Sequence, residues 1–258
     1  MVNIKKIIKA YYSPSNTTKK VVNIIADNFE GPAEEYNILN IKKDTEIRTF
    51  EEDELLIIGV PIFAGRMPQY ARSIIENFKG NNTPAIAIAN YGNANIGDCL
   101  LELVDLLKEN GFKILAASTP VSQHSLFTKV AAGRPDAEDT EKLNDFAAKC
   151  IEKLENDEFS DIEVPGNRPY VELKDMPWVP ICDETLCTFC YDCVSICPND
   201  AISDDDPVET DASKCDACTA CVAICQDNAR SFNTPAFEEK EKEFSANFAQ
   251  RKEPEFYL

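Results

Sequence analysis

The sequence predicts an α/β chain: a doubly wound, five-stranded parallel sheet over residues 1–158, then a small α+β unit built on a repeated cysteine run. Three observations carry this. Short apolar segments alternate with stretches of helical period as far as about residue 156. Two of those segments are nearly unbroken hydrophobic runs, as in strands covered on both faces. Eight of the eleven cysteines lie between Cys187 and Cys225.

The strands in order are Ile4 to Tyr12, Glu35 to Leu39, Leu55 to Val60, Ala85 to Asn90 and Phe112 to Ser118, the third and fourth being the continuous runs. Four apolar stripes mark the helices: Val21, Ile24, Ile25 and Phe29; Tyr70, Ile74, Ile75 and Phe78; Leu100, Leu103, Val104 and Leu107; Leu143, Phe146, Ala147, Cys150, Ile151 and Leu154. Asn40 to Asp53 is too polar to assign. Strand then helix, repeated with right-handed crossovers, gives a parallel sheet, and five strands favour the order 2-1-3-4-5.

The cysteine runs CTFCYDCVSIC and CDACTACVAIC start 28 residues apart, at Cys187 and Cys215, and share the form C-x-x-C-x-x-C-x-x-x-C. Three thiolates at this spacing wrap one face of a [4Fe-4S] cube while the fourth points toward a second cluster, the arrangement of the bacterial ferredoxins these runs resemble. One cluster is therefore assigned to Cys187, Cys190, Cys193 and Cys225, the other to Cys215, Cys218, Cys221 and Cys197. Val194, Ile196 and Ala201 recur as Val222, Ile224 and Ala229 at the same offset, so the halves are expected to be pseudo-symmetric. Structural zinc favours separated C-x-x-C pairs, and disulfides suit exported chains. Pro198 follows the first run but Gln226 the second, a departure that concerns the path after Cys225 rather than its ligation.

A net charge of −19 argues against nucleic acid and anionic membranes and favours a redox protein partner with a basic or neutral docking surface. The opening residues have lysines through their apolar stretch and no small-residue cleavage site, and no apolar run is long enough to span a bilayer, so a cytoplasmic location is expected. Neither G-x-G-x-x-G nor G-x-x-x-x-G-K is present, which leaves NAD and ATP unsignalled.

In the order 2-1-3-4-5 a ligand sits beyond the carboxyl ends of strands 1, 3 and 4. The loops there are SPSNTT (Ser13 to Thr18), PIFAGRMP (Pro61 to Pro68) and NYGNANIG (Asn90 to Gly97). The first carries hydroxyls into a helix start and suits a phosphate; the others each bring an aromatic, Phe63 or Tyr91, and suit a flat ring. SPSNTTKK is similar to the phosphate loop of flavodoxins. GVPIFAGRMP, and NYGN followed by DCLLEL, resemble the two loops that bracket their isoalloxazine. With the cysteine runs, the chain up to about residue 233 resembles the flavodoxin-ferredoxin fusion proteins called ferrodoxins. That resemblance implies a flavodoxin-like domain holding FMN. It places Ser13, Ser15, Asn16, Thr17 and Thr18 at the phosphate, and Pro61, Phe63, Ala64, Gly65, Asn90, Tyr91, Gly92 and Asn93 around the ring. Asn16 stands where the family usually has glycine, and Ile96 where it often has an aromatic, which leaves stacking to Tyr91 and Phe63.

The remaining residues stay open at this level. His124, the only histidine, is either a proton donor at the flavin edge or a plain surface residue; Arg66 either meets flavin charge or pairs with a carboxylate. Cys99 and Cys150 read as buried small side chains and Cys182 as a packing residue five positions before the first ligand. Residues 159–177 read as a proline-containing linker, 178–236 as the cluster domain, and 237–258 as a solvated helix or loose end whose aromatic finish could dock on a second copy. An electron carrier joining FMN to two [4Fe-4S] clusters is the leading function. A flavin reductase fed through the clusters and a redox-sensing interaction module are the alternatives.

Overall fold

Helices cover both faces of one sheet because the strand residues alternate between two apolar sets. The computed structural model describes residues 4–173 and 176–258; Met1 to Asn3 of the first domain, and Lys174 and Asp175 of the linker, lie outside the described residues. In chain order the main elements are β1 (Lys6–Tyr11), α1 (Thr17–Ala26), β2 (Ala33–Asn37), β3 (Glu54–Pro61), α2 (Gln69–Ile75), β4 (Thr83–Asn90), α3 (Cys99–Glu109), β5 (Phe112–Thr119) and α4 (Ala137–Glu155). Then follow α5 (Asp192–Ser195), α6 (Ala220–Ile224), α7 (Pro235–Asn247) and β6 (Glu255–Tyr257).

The sheet order is β6-β5-β4-β3-β1-β2; β1 to β5 are mutually parallel, in the expected 2-1-3-4-5 arrangement. Ile7, Leu55 and Ile57 face α1 and α4, and Ile8, Leu56 and Ile58 face α2 and α3, so β1 and β3 each feed two cores. The polar stretch left unassigned holds a two-residue strand, Thr49–Phe50, paired in parallel with Lys79–Gly80. Gly59 lets α1 settle on β3: a Cβ there would lie 2.6 Å from Val22 Cγ2 and 2.9 Å from Thr18 Cγ2. The helix start after β1 is thereby held at the sheet's carboxyl edge.

The tail is a correction to the sequence reading. Thr234 caps α7, with Pro235 in its first turn, and β6 then pairs antiparallel with β5, Phe256 opposite Ser118. It docks on its own sheet, where the Phe256 and Phe146 rings stack at 4.8 Å. Before α7 the chain forms the cluster unit, closed by an antiparallel pair, Ile181–Cys182 with Arg230–Ser231. A third core seats this unit on the sheet domain: Leu126, Phe127 and Val130 pack with Ala217, Phe232 and Phe237, and Trp178 meets Phe237 edge-on at 5.2 Å. The linker lies across α3: Asp98 accepts from the Asn167 and Val171 amides, and Asp105 accepts from Arg168 and Tyr170.

Candidate cofactor sites

Beyond the carboxyl ends of β1, β3 and β4 opens a cleft of about 370 Å³, its mouth included. It is lined by Ser15 and Thr17 from the first loop, Pro61 and Phe63 from the second, and Asn90, Tyr91 and Gly92 from the third. Three loops far apart in sequence meet because their strands are neighbours in the sheet.

The other expected residues stand behind these. Ser13 Oγ accepts from the Lys19 amide, and Asn16 precedes α1 in the left-handed region at φ 63°, a conformation asparagine tolerates in place of glycine. Thr18 Oγ1 accepts from the Asn90 side chain, whose Oδ1 in turn accepts from Ser122 Oγ, fastening the first loop to the third. Ala64 and Gly65, both at positive φ, form the turn that closes Phe63 onto Arg66. Asn93 is not brought to the cleft: its side chain donates to the Phe248 and Gln250 carbonyls and accepts from the Lys252 amide, so it holds the tail.

His124 lines the cleft and is half-buried against Phe127 and Phe244, with ring centroids at 5.3 and 5.1 Å. Its Nδ1 accepts from the Leu126 and Phe127 amides, so the neutral ring carries its proton on Nε2. Burial lowers its pKa to about 4. It can donate a hydrogen bond at neutral pH but is not a charged acid. Gly92 makes room for it; a Cβ there would sit 2.7 Å from His124 Cα. Arg66 is turned away, in a two-pronged pair with fully buried Glu102 (2.9 Å to each oxygen) and donating to the Val171 carbonyl, so the carboxylate-pairing reading describes it.

The cysteines line two further hollows, of about 360 and 340 Å³ with their mouths included. Cys187, Cys190, Cys193 and Cys225 line the first, and Cys197, Cys215, Cys218 and Cys221 the second. Each set takes its fourth cysteine from the other run. The backbone repeats with the sequence: Phe189, Tyr191 and Asp200 have positive φ, and so do Ala217, Thr219 and Asn228, 28 positions on. These left-handed turns bend the amides of Phe189 and Ala217 back onto the Cys187 and Cys215 sulfurs, at 3.4 Å in both halves.

The donor set fits a cubane. Among the described residues no three His, Cys, Asp or Glu side chains are grouped tightly enough to hold a single ion, whereas a [4Fe-4S] cube takes one thiolate at each of four separate corners. Without iron, burial pushes the Cys221 thiol up to about 12 and raises Cys215 and Cys218 as well. Cys182 is a fifth thiol on the wall of the first hollow; Cys99 and Cys150 are buried in the sheet domain.

One residue belongs to two cavities. Cys218 of the second set also lines the cleft at the sheet's edge. Tyr12, the residue after β1, is fully buried beside it; its hydroxyl has no hydrogen-bond partner among the described residues, and burial first and the neighbouring Cys218 next push its pKa well above that of an ordinary phenol. Sequence reasoning missed Pro14, Ile62, Gln123, Ser125 and Cys218 as cleft residues. Gln123 and Ser125 flank His124 and needed only the same loop to be considered, but no sequence signal ties Cys218 to a loop two hundred residues earlier.

A profile for the 4Fe-4S binding domain matches residues 183–203. None of the curated proteins matches the chain. Among solved structures, an archaeal flavodoxin aligns at 15% identity over 59% of this chain and 99% of its own, with a TM-score of 0.41. Flavodoxin 1 from Bacillus cereus aligns at 16% identity over 57% of this chain and 98% of its own, TM-score 0.41. Rubredoxin oxygen:oxidoreductase from Desulfovibrio gigas aligns at 16% identity over 60% of this chain and 37% of its own, TM-score 0.39. The chain thus joins a sheet of flavodoxin strand order to a segment that matches the 4Fe-4S binding domain.

Proposed function

We propose that the chain is an electron-transfer protein that holds FMN in the cleft and a [4Fe-4S] cluster in each cysteine-lined hollow, and exchanges electrons with a protein partner. A flavin handles electrons singly or in pairs, and a cluster handles one at a time, so the pair converts between the two modes. Ser15, Thr17 and the amino end of α1 would hold the phosphate, and Phe63 and Tyr91 would flank the ring. The observation that carries the reading is the shared wall: Cys218 lines both the cleft and the second hollow, so no solvent layer separates the two sites there.

The partner reading rests on the first hollow, farther along this series. Leu186, Phe189 and Tyr191 around it are 48%, 50% and 43% exposed, with Asp183, Glu184, Asp192 and Asp227 nearby. Apolar contact rimmed by carboxylate suits a redox protein presenting an apolar centre with a basic rim. The reductase alternative asked for a cleft lined by both His124 and Arg66; the pairing of Arg66 with Glu102 counts against it.

The test is anaerobic isolation and analysis of the full chain. The expected result is about eight irons, eight sulfides and one FMN per chain, with photoreduction of the flavin followed by cluster bleaching at a rate independent of protein concentration. One cofactor type alone, or a rate proportional to concentration, would overturn the proposal.

A further inference from the structure

The two hollows are related by the 28-residue repeat almost wall for wall. Ala229 of the first corresponds to Ala201 of the second, and Asp227 to Asn199. The break that is buried is at Arg230, which lines the first hollow where Ile202 lines the second; the first hollow's carboxylates, half-buried Asp192 and exposed Asp227, have solvent to screen them. Arg230 is only 3% exposed.

Its partners are neutral. Nη1 donates to Thr210 Oγ1 at 2.6 Å and Nη2 to the Pro207 carbonyl, while Nε is buried with no partner among the described residues. Among the described residues no carboxylate forms an ion pair with it. The same Pro207 carbonyl lies 3.9 Å from the Cys193 sulfur, so guanidinium and ligand thiol converge on one oxygen. A buried, unneutralised cation with a free N–H on the wall of a thiolate cage is expensive to keep unless negative charge fills that cage.

We propose that Arg230 makes the two clusters unequal, so that the first cage, Cys187, Cys190, Cys193 and Cys225, accepts an electron more readily than the second. The inference rests on the two-cluster reading above. Reduction adds one negative charge to a cluster, and a fixed cation in a poorly solvated wall stabilises that charge. Arg230 is a positioning residue acting through field and hydrogen bond, not a ligand. Its field also reaches Cys215 and Cys221 of the second set, and Thr210, which it bonds, lines that hollow, but only the first hollow has the guanidinium itself as a wall. The electron therefore comes to rest in the cage ringed by exposed Phe189 and Tyr191, where a partner can reach it.

The experiment is an anaerobic potentiometric titration of the full holoprotein followed by EPR, with iron counted in each sample. Wild type should show two separated cluster midpoints. Arg230→Met should lower the more positive one and narrow the gap, while Arg230→Lys, keeping the charge, should hold it near the wild-type value. Should Arg230→Met fail to load iron, the half-reduced wild type decides: its paramagnetically shifted cysteine β-proton resonances should move first for Cys187, Cys190, Cys193 and Cys225. Two intact clusters with unchanged midpoints in Arg230→Met, or first reduction in the second cage, would overturn the inference and leave the electron-carrier reading standing. A chain holding only four irons overturns that reading, and this inference with it.

Discussion

His124 shows how burial resets a group that is ambiguous in sequence. As the only histidine it reads as a proton donor or a surface residue; Phe244 from the tail covers its ring, so it stands as a neutral Nε2–H donor on the cleft wall rather than a plain surface residue. Its pKa in the fold, about 4, lies below the ordinary 6.5, so the unfolded chain binds its proton first as pH falls. Its share of stability is complete above about pH 6.5 and is lost as pH drops toward 4, a difference of about 3 kcal/mol. A ¹³C-histidine NMR titration should give a single midpoint near 4, and His124→Leu should remove that share of the acid sensitivity. Arg66 has a comparable history. Its partner Glu102 lies 36 residues away and is fully buried, taking bonds from Arg66, Arg72 and the Met67 amide. Glu102→Ala strands those donors and should cost about 3–5 kcal/mol in denaturant unfolding, with flavin binding affected less than stability.

At the scale of elements, legibility in the sequence followed periodicity. β3 and β4 announce themselves because burial on both faces requires unbroken apolar runs, and the four main helices because one stripe faces the sheet. The crossed cysteine sets are what the resemblance of these runs to bacterial ferredoxins implies, and the two hollows group the cysteines in the same way. The tail was hidden for a physical reason: β6 is three residues long, and its partner β5 ends more than a hundred positions earlier. A charged composition looks solvated when its few apolar residues, Phe237, Phe244 and Phe256, meet partners that only tertiary structure supplies. Phe256→Ala should destabilise the sheet domain by about 2–3 kcal/mol. The same change should speed proteolysis of the segment between α7 and β6, where Arg251 pairs with Asp136.

At the scale of the whole molecule, the three cavities form a series because the third core presses the cluster unit against the cleft. Leu126, Phe127 and Val130, which directly follow His124 and Ser125, supply one side of that seam. The crossing makes an unusual prediction here. Cys197 belongs to the first run but lines the second hollow, next to the cleft. Cys197→Ala should therefore abolish the EPR signal of the cluster nearer the flavin, while Cys225→Ala, in the second run, should abolish that of the outer one. Iron analysis and EPR of the reduced chains check this, and loss of the outer signal in Cys197→Ala with loss of the inner one in Cys225→Ala would refute the crossed assignment. Cys182→Ser should leave iron content unchanged, because four other thiols already complete the set around the hollow it shares.

β6 pairs with a strand made long before it, and it leaves the ribosome after both cages and the linker. During synthesis both cysteine runs are therefore complete before the strand that fastens the tail to the sheet has been made.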